Sequence, residues 1–187
     1  MLSDASQQLV VSTLQRLMAL RFPSGNLPIV LGDVRDEHLH WCHGAPGLTA
    51  MLAAATPVLQ ERGDARAKEL QDVVQQALLQ SAEVVWQRGV ILKGNGLCHG
   101  LSGNGYSFLT LFRITRDPTA LQRAQAFAAL LKHRNLQDAM AKYRDPQRRV
   151  TGVPDSPCSL MEGTAGVVCF LLDCCNPQSS AFPGWEL

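Results

Sequence analysis

Apolar positions recur at helical spacing from the start of the chain. Leu9, Val10, Leu14, Leu17, Met18 and Leu20 mark one face of a helix over 5–20. Phe22-Pro23-Ser24-Gly25-Asn26-Leu27-Pro28 breaks that pattern and predicts a loop reaching about His40. Leu48, Met51, Leu52 and Ala55 predict a short helix over 45–55, nearly free of charge and so expected to be buried all round. The next helix, over 64–88, is amphipathic: Leu70, Val73, Val74, Ala77, Leu78, Val84 and Val85 oppose Arg66, Lys68, Glu69, Asp72 and Glu83. The pair then repeats. An apolar helix over 101–115 meets Asp117-Pro118, a capping residue followed by a proline suited to the first helical position, and an amphipathic helix follows to about Lys132. The polar stretch 134–153 reads as a loop with one short helix near 135–143, before a third apolar helix around Val167–Leu172. With no convincing alternating strand, this alternation predicts an all-α protein, an α/α toroid or solenoid of helical hairpins.

A Gly-x-x-Gly block precedes each apolar helix. The first reads Trp41-Cys42-His43-Gly44-Ala45-Pro46-Gly47, the second Gly96-Leu97-Cys98-His99-Gly100-Leu101-Ser102-Gly103, and the third Glu162-Gly163-Thr164-Ala165-Gly166. Their second glycines lie 56 and 63 residues apart, the period of a helical-hairpin repeat. Cys-His-Gly occurs in the first two blocks, whereas the third has Glu162 in the histidine's place and is expected to be structural. Two thiols and two imidazoles at matching positions can converge, and Cys/Cys/His is a zinc ligand set. Taken alone, the blocks leave open buried cysteines behind tight turns.

Composition narrows the class. The 187 residues suffice for one ordinary domain, and a net charge of +1 with 18% charged residues gives no footprint for nucleic acid or an anionic membrane. Gln147-Arg148-Arg149 is a short basic run, expected to be a solvated loop. No apolar run approaches the ~20 residues of a membrane span, and Met1-Leu2-Ser3-Asp4 does not open a secretory signal. The six cysteines therefore read as thiols of a reducing compartment. Cys169, Cys174 and Cys175 are expected to be buried in the last helix. His38 and His40 are expected to be solvated, as is His133 at a helix end, and Trp41 to be a packing anchor.

The two cysteine blocks, Lys93-Gly94-Asn95 ahead of the second, Pro154-Asp155-Ser156-Pro157, Ser159-Leu160-Met161-Glu162-Gly163 and the closing Phe182-Pro183 and Glu186-Leu187 together resemble the lanthionine synthetase C-like (LanC-like) family. The resemblance runs from about residue 35 to the end. It implies a double-layered α/α barrel of seven helical-hairpin units, of which residues 1–187 would be a single domain. That domain would be the C-terminal portion of the barrel, its units opening near 44, 100 and 163. It implies one zinc ion held by Cys42, Cys98 and His99, and glutathione as co-substrate near Lys93, Pro154 and Asp155. The eukaryotic activity it implies is addition of glutathione to dehydroalanine and dehydrobutyrine in damaged proteins; bacterial relatives cyclise peptides to lanthionines.

The family's Arg-Thr-Pro-Asp tetrapeptide aligns here with Gly152-Val153-Pro154-Asp155, so the arginine is lost; Arg149 lies three residues upstream. His43, beside a ligand position, is the candidate proton donor. The alternative class is a non-catalytic adaptor that binds zinc and glutathione, or a protein kinase, or an inactive short isoform. The expected location is the cytoplasm, with peripheral association at the plasma membrane. Units absent at the N-terminus would leave inner faces around Leu48, Met51, Phe108 and Leu109 exposed.

Overall fold

Seven helices and one two-residue strand pair make up the described part of the computed structural model, residues 2–145, 150–151, 154 and 156–186. α1 (Asp4–Leu20) starts where the Ser3 hydroxyl accepts the Ser6 amide. α2 (Ala45–Arg62) outruns the helix expected to end near 55 and contains Pro57. An interior proline costs ~3 kcal/mol, and full burial of Leu59, worth ~1.5–3 kcal/mol, offsets it. Gly63, at φ +62°, ends α2, and the Asp64 carboxylate caps α3 (Ala65–Arg88) by accepting the Ala67 amide. The second hairpin is α4 (Leu101–Thr115) and α5 (Pro118–Leu130), with Asp117 capping α5 as the sequence predicts. α6 (Arg134–Lys142) is the short helix of the polar stretch. His133 caps it, its Nδ1 accepting the Leu136 amide at 3.3 Å, so this exposed imidazole has a structural task beyond solvation. α7 (Thr164–Cys175) is the third apolar helix. The departure from purely helical is β1 (Arg144–Asp145) paired antiparallel with β2 (Val150–Thr151).

α2, α4 and α7 form an inner layer, each packed on the next, while α1, α3 and α5 form an outer layer. The outer helices bridge their neighbours: α1 packs on α2 and α3, α3 on α1, α2 and α4, and α5 on α4 and α7. That staggered two-layer arrangement is an α/α toroid segment. α4 is its centre, with every residue from Leu101 to Phe112 buried. Tyr106 turns its hydroxyl to Asp173 of α7 at 2.8 Å, and Phe170 presses against Gly105. Arg123 of α5 lies over the Trp86 ring of α3, 4.9 Å from its centroid, and pairs with Glu83 at 2.8 Å.

Three expectations change. Leu48, Phe108 and Leu109 are buried by neighbouring helices, and Met51 is half-buried. α2 is not buried all round, since Ala54 is exposed along a groove of about 420 Å³ shared with α1. Apolar surface is open on α7 as well, where Val168 and Leu172 are exposed. Cys169 and Cys174 are only partly buried and Cys175 is exposed, because among the described elements α4, α5 and the short turn over 177–179 leave part of α7 uncovered. Among the described residues no helix is long and apolar enough to cross a membrane.

Candidate metal centre

The three glycine blocks sit at the N-termini of the three inner helices, and the fold stacks them side by side. In each block the second glycine is required by the same close approach. A Cβ on Gly47 would lie 2.1 Å from the Trp41 carbonyl oxygen; on Gly103, 1.8 Å from that of Leu97; on Gly166, 2.1 Å from that of Leu160. The blocking carbonyl is six residues upstream every time, so the loops are equivalent in structure and not only in spelling. Gly44 additionally has φ +126°, a conformation open to glycine and costly for other residues.

Main-chain hydrogen bonds join the loops in register. The Cys42 amide donates to the Cys98 carbonyl at 3.3 Å, and the Cys98 amide donates to the Met161 carbonyl at 2.7 Å. Each of these residues stands two before the first glycine of its block, so Met161 and Glu162 occupy the places that cysteine and histidine hold in the other loops. From the far side, Asn26 steadies the first loop. Its Oδ1 accepts the Ala45 amide at 2.7 Å while its Nδ2 donates to the His38 carbonyl and to Asp36, which pairs with Arg88.

This stacking brings the Cys42, Cys98 and His99 ligand atoms within 4.8 Å of one another. The residues range from exposed to half-buried, open enough for an ion to enter. The two thiols perturb each other even without an ion. The Cys42 thiol is lowered to about 7, chiefly because Cys98 hydrogen-bonds to it. Burial opposes this, the Cys42 amide and Lys93 assist it, and Glu162 works against it. The same hydrogen bond pushes the Cys98 thiol upward. A pocket that gathers thiolate charge, two sulfurs and an imidazole matches the donor set of zinc, and three protein ligands leave one coordination position free.

His43 places Nδ1 3.1 Å from the Cys42 sulfur and is exposed. Lys93 and Pro154 line two different cavities. Lys93 sits with Glu37, His38, His40 and Tyr143 around about 260 Å³, and Pro154 with Asn95, Pro157, Glu162 and Thr164 around about 320 Å³. Asp155, like Gly152, Val153 and the Gln147–Arg149 run, lies outside the described residues. Trp41 is the anchor the sequence predicts, stacked on Phe182 with centroids 4.5 Å apart and set edge-on to Trp185 at 5.5 Å. His40 departs from expectation. It is 5% exposed and its ring lies 5.8 Å from that of His99, while His38 is half-buried and edge-on to His40. The readable signal was its place two residues before Cys42, in a loop whose polar look concealed its burial.

A family model described as lanthionine synthetase C-like protein matches residues 1–187. A Danio rerio protein named glutathione S-transferase LANCL1 is 42% identical over 184 residues, which is 98% of this chain and 40% of that protein. An Arabidopsis thaliana protein named LanC-like protein GCL1 is 36% identical over 187 residues, all of this chain and 39% of its own length.

Proposed function

Because the chain belongs to the lanthionine synthetase C-like family, we propose that it carries the metal- and thiol-binding part of a glutathione-adding enzyme. Convergence of Cys42, Cys98 and His99 from two separate repeat loops is the observation that carries this reading. It is supported by the glutathione S-transferase name of the Danio rerio relative. Both relatives are more than twice this chain's length, so the activity is proposed for this surface within its fold.

Cys42, Cys98 and His99 would hold one zinc ion. Zinc bound there keeps a coordinated thiol deprotonated at neutral pH, where a free thiol with pKa of about 8.5 is mostly protonated. The chain's residues do the rest. Lys93 offers a cation beside the cluster to pair with a glutathione carboxylate, and the neighbouring cavity lined by Pro154 would take the remainder of the tripeptide. Addition forms a bond between the glutathione sulfur and the β-carbon of dehydroalanine or dehydrobutyrine. The double-bond electrons move toward the adjacent carbonyl, and the α-carbon takes up a proton. His43 would deliver it, a role supported by its exposure and its nearness to the Cys42 sulfur.

The test is incubation of zinc-loaded protein with glutathione and a dehydroalanine peptide, read by mass spectrometry for the adduct. Adduct formation lost in Cys98→Ala supports the proposal. Zinc and glutathione binding without adduct would favour the adaptor reading, and absence of zinc retention would remove both.

A further inference from the structure

Cys42 belongs to two ligand groups. Besides its place with Cys98 and His99, it stands with His40 and His43, and the ligand atoms of this second trio also lie within 4.8 Å of one another. The backbone presets the trio. The His40 amide donates to the His43 carbonyl at 3.0 Å, and the His43 amide returns a bond to the His40 carbonyl at 3.3 Å. A closed turn therefore carries both imidazoles with the sulfur between them in sequence. His43 Nδ1 is already 3.1 Å from that sulfur.

Donor atoms around one tetrahedral zinc stand roughly 3.3–3.8 Å apart, from Zn–S of about 2.3 Å and Zn–N of about 2.0–2.1 Å. Closing the trio therefore asks each donor–donor distance to shorten by about 1.5 Å or less. The exposed His43 and Cys42 can make that adjustment, while burial holds His40 in place.

We propose that His40, Cys42 and His43 form a second seat for a borderline-soft divalent ion such as zinc or cobalt, with the Cys42 thiolate shared between the two seats. One thiolate and two neutral imidazoles offset less of the ion's charge than two thiolates and one imidazole, so this seat is the weaker. Filling it occupies the His43 nitrogen, so excess metal suppresses any proton transfer by that residue.

The experiment uses metal-stripped full-length chain titrated with Co²⁺ and read by thiolate-to-cobalt charge-transfer absorption, with circular dichroism as a folding check. Cys98→Ser/His99→Ala removes the first seat and is expected still to bind one Co²⁺ per chain. Adding His43→Ala should weaken that binding at least tenfold. No absorption in the double variant, or absorption indifferent to His43→Ala, overturns the proposal. Should the double variant not fold, wild-type protein carrying one equivalent of Zn²⁺ receives one further equivalent of Co²⁺. The charge-transfer band is expected in wild type and not in His43→Ala; a wild-type chain that takes no second ion overturns the proposal. Failure of the first seat would read differently, as zinc retention in wild type that Cys98→Ser leaves unchanged.

Discussion

The Cys42 amide donates to the Cys98 carbonyl at 3.3 Å across 56 residues of sequence. The two cysteines are thereby joined through backbone as well as through whatever their sulfurs bind. A site assembled this way should survive loss of one ligand as a fold while failing as a metal centre. Cys42→Ala and Cys98→Ala are expected to lose retained zinc with little change in helical circular dichroism, and Cys174→Ala to retain it. Equal zinc in all three, by elemental analysis, would contradict the ligand assignment.

The carbonyl packed against each second glycine leads to a stability prediction. Gly103→Ala places a methyl 1.8 Å from the Leu97 oxygen, and relieving such overpacking typically costs ~1–3 kcal/mol. The Leu97–Leu101 turn must shift to relieve it, and that turn carries Cys98 and His99. Both chemical-denaturation stability and zinc affinity should fall, whereas Ala54→Ser on the exposed side of α2 should leave both unchanged.

Trp41 ties the closing segment to the first loop through its stack on Phe182. A double-mutant cycle with Trp41→Ala and Phe182→Ala should show coupling of about 0.5–1.5 kcal/mol, the range of an aromatic pair beyond its burial. Additive effects would mean that the two rings contribute independently. Because Trp41 adjoins Cys42, Phe182→Ala is also expected to loosen metal binding from the opposite end of the chain.

Acid should weaken the support behind the first loop. Burial opposes ionisation of the Asp36 carboxyl, but hydrogen bonds from Arg88, Ser24 and Asn26 outweigh it and hold the group below its usual 3.8. A depressed carboxyl contributes stability that is present above the unfolded value and lost as pH falls through the folded one. Asp36→Asn is therefore expected to be less stable than wild type at pH 7, with the gap narrowing below about pH 4. The same gap at pH 7 and pH 3 in urea unfolding would remove the carboxylate from the account.

Glutathione recognition has a single-residue test. Loss of a charge-assisted contact costs ~1.5–3 kcal/mol, about 10- to 150-fold in affinity. Lys93→Ala should weaken binding by that range in calorimetry, and Lys93→Arg by less. Unchanged affinity would show that the carboxylate is bound elsewhere, for instance around Pro154.

Helix order and layer assignment were legible because they rest on local rules. Apolar spacing marks α1 to α5, Asp117-Pro118 marks a helix start, and repeated Gly-x-x-Gly marks where each inner helix begins. The metal candidates were legible for the same reason, since cysteine and histidine recur at one position of a repeat. Other features depend on partners far along the chain, which no local pattern encodes. Leu59 carries α2 through Pro57 because a buried site awaits it, and Val168 and Leu172 of α7 stay exposed because no described element covers them. Lys93 and Pro154 separate into two cavities, and His40 leaves the solvent to stand beside Cys42, because loops from different repeats close over them. Short-range periodicity thus specified the elements and the chemistry available to them. Which side chains meet was set by the packing of one repeat on the next, where burial and close backbone approach outweigh local polarity.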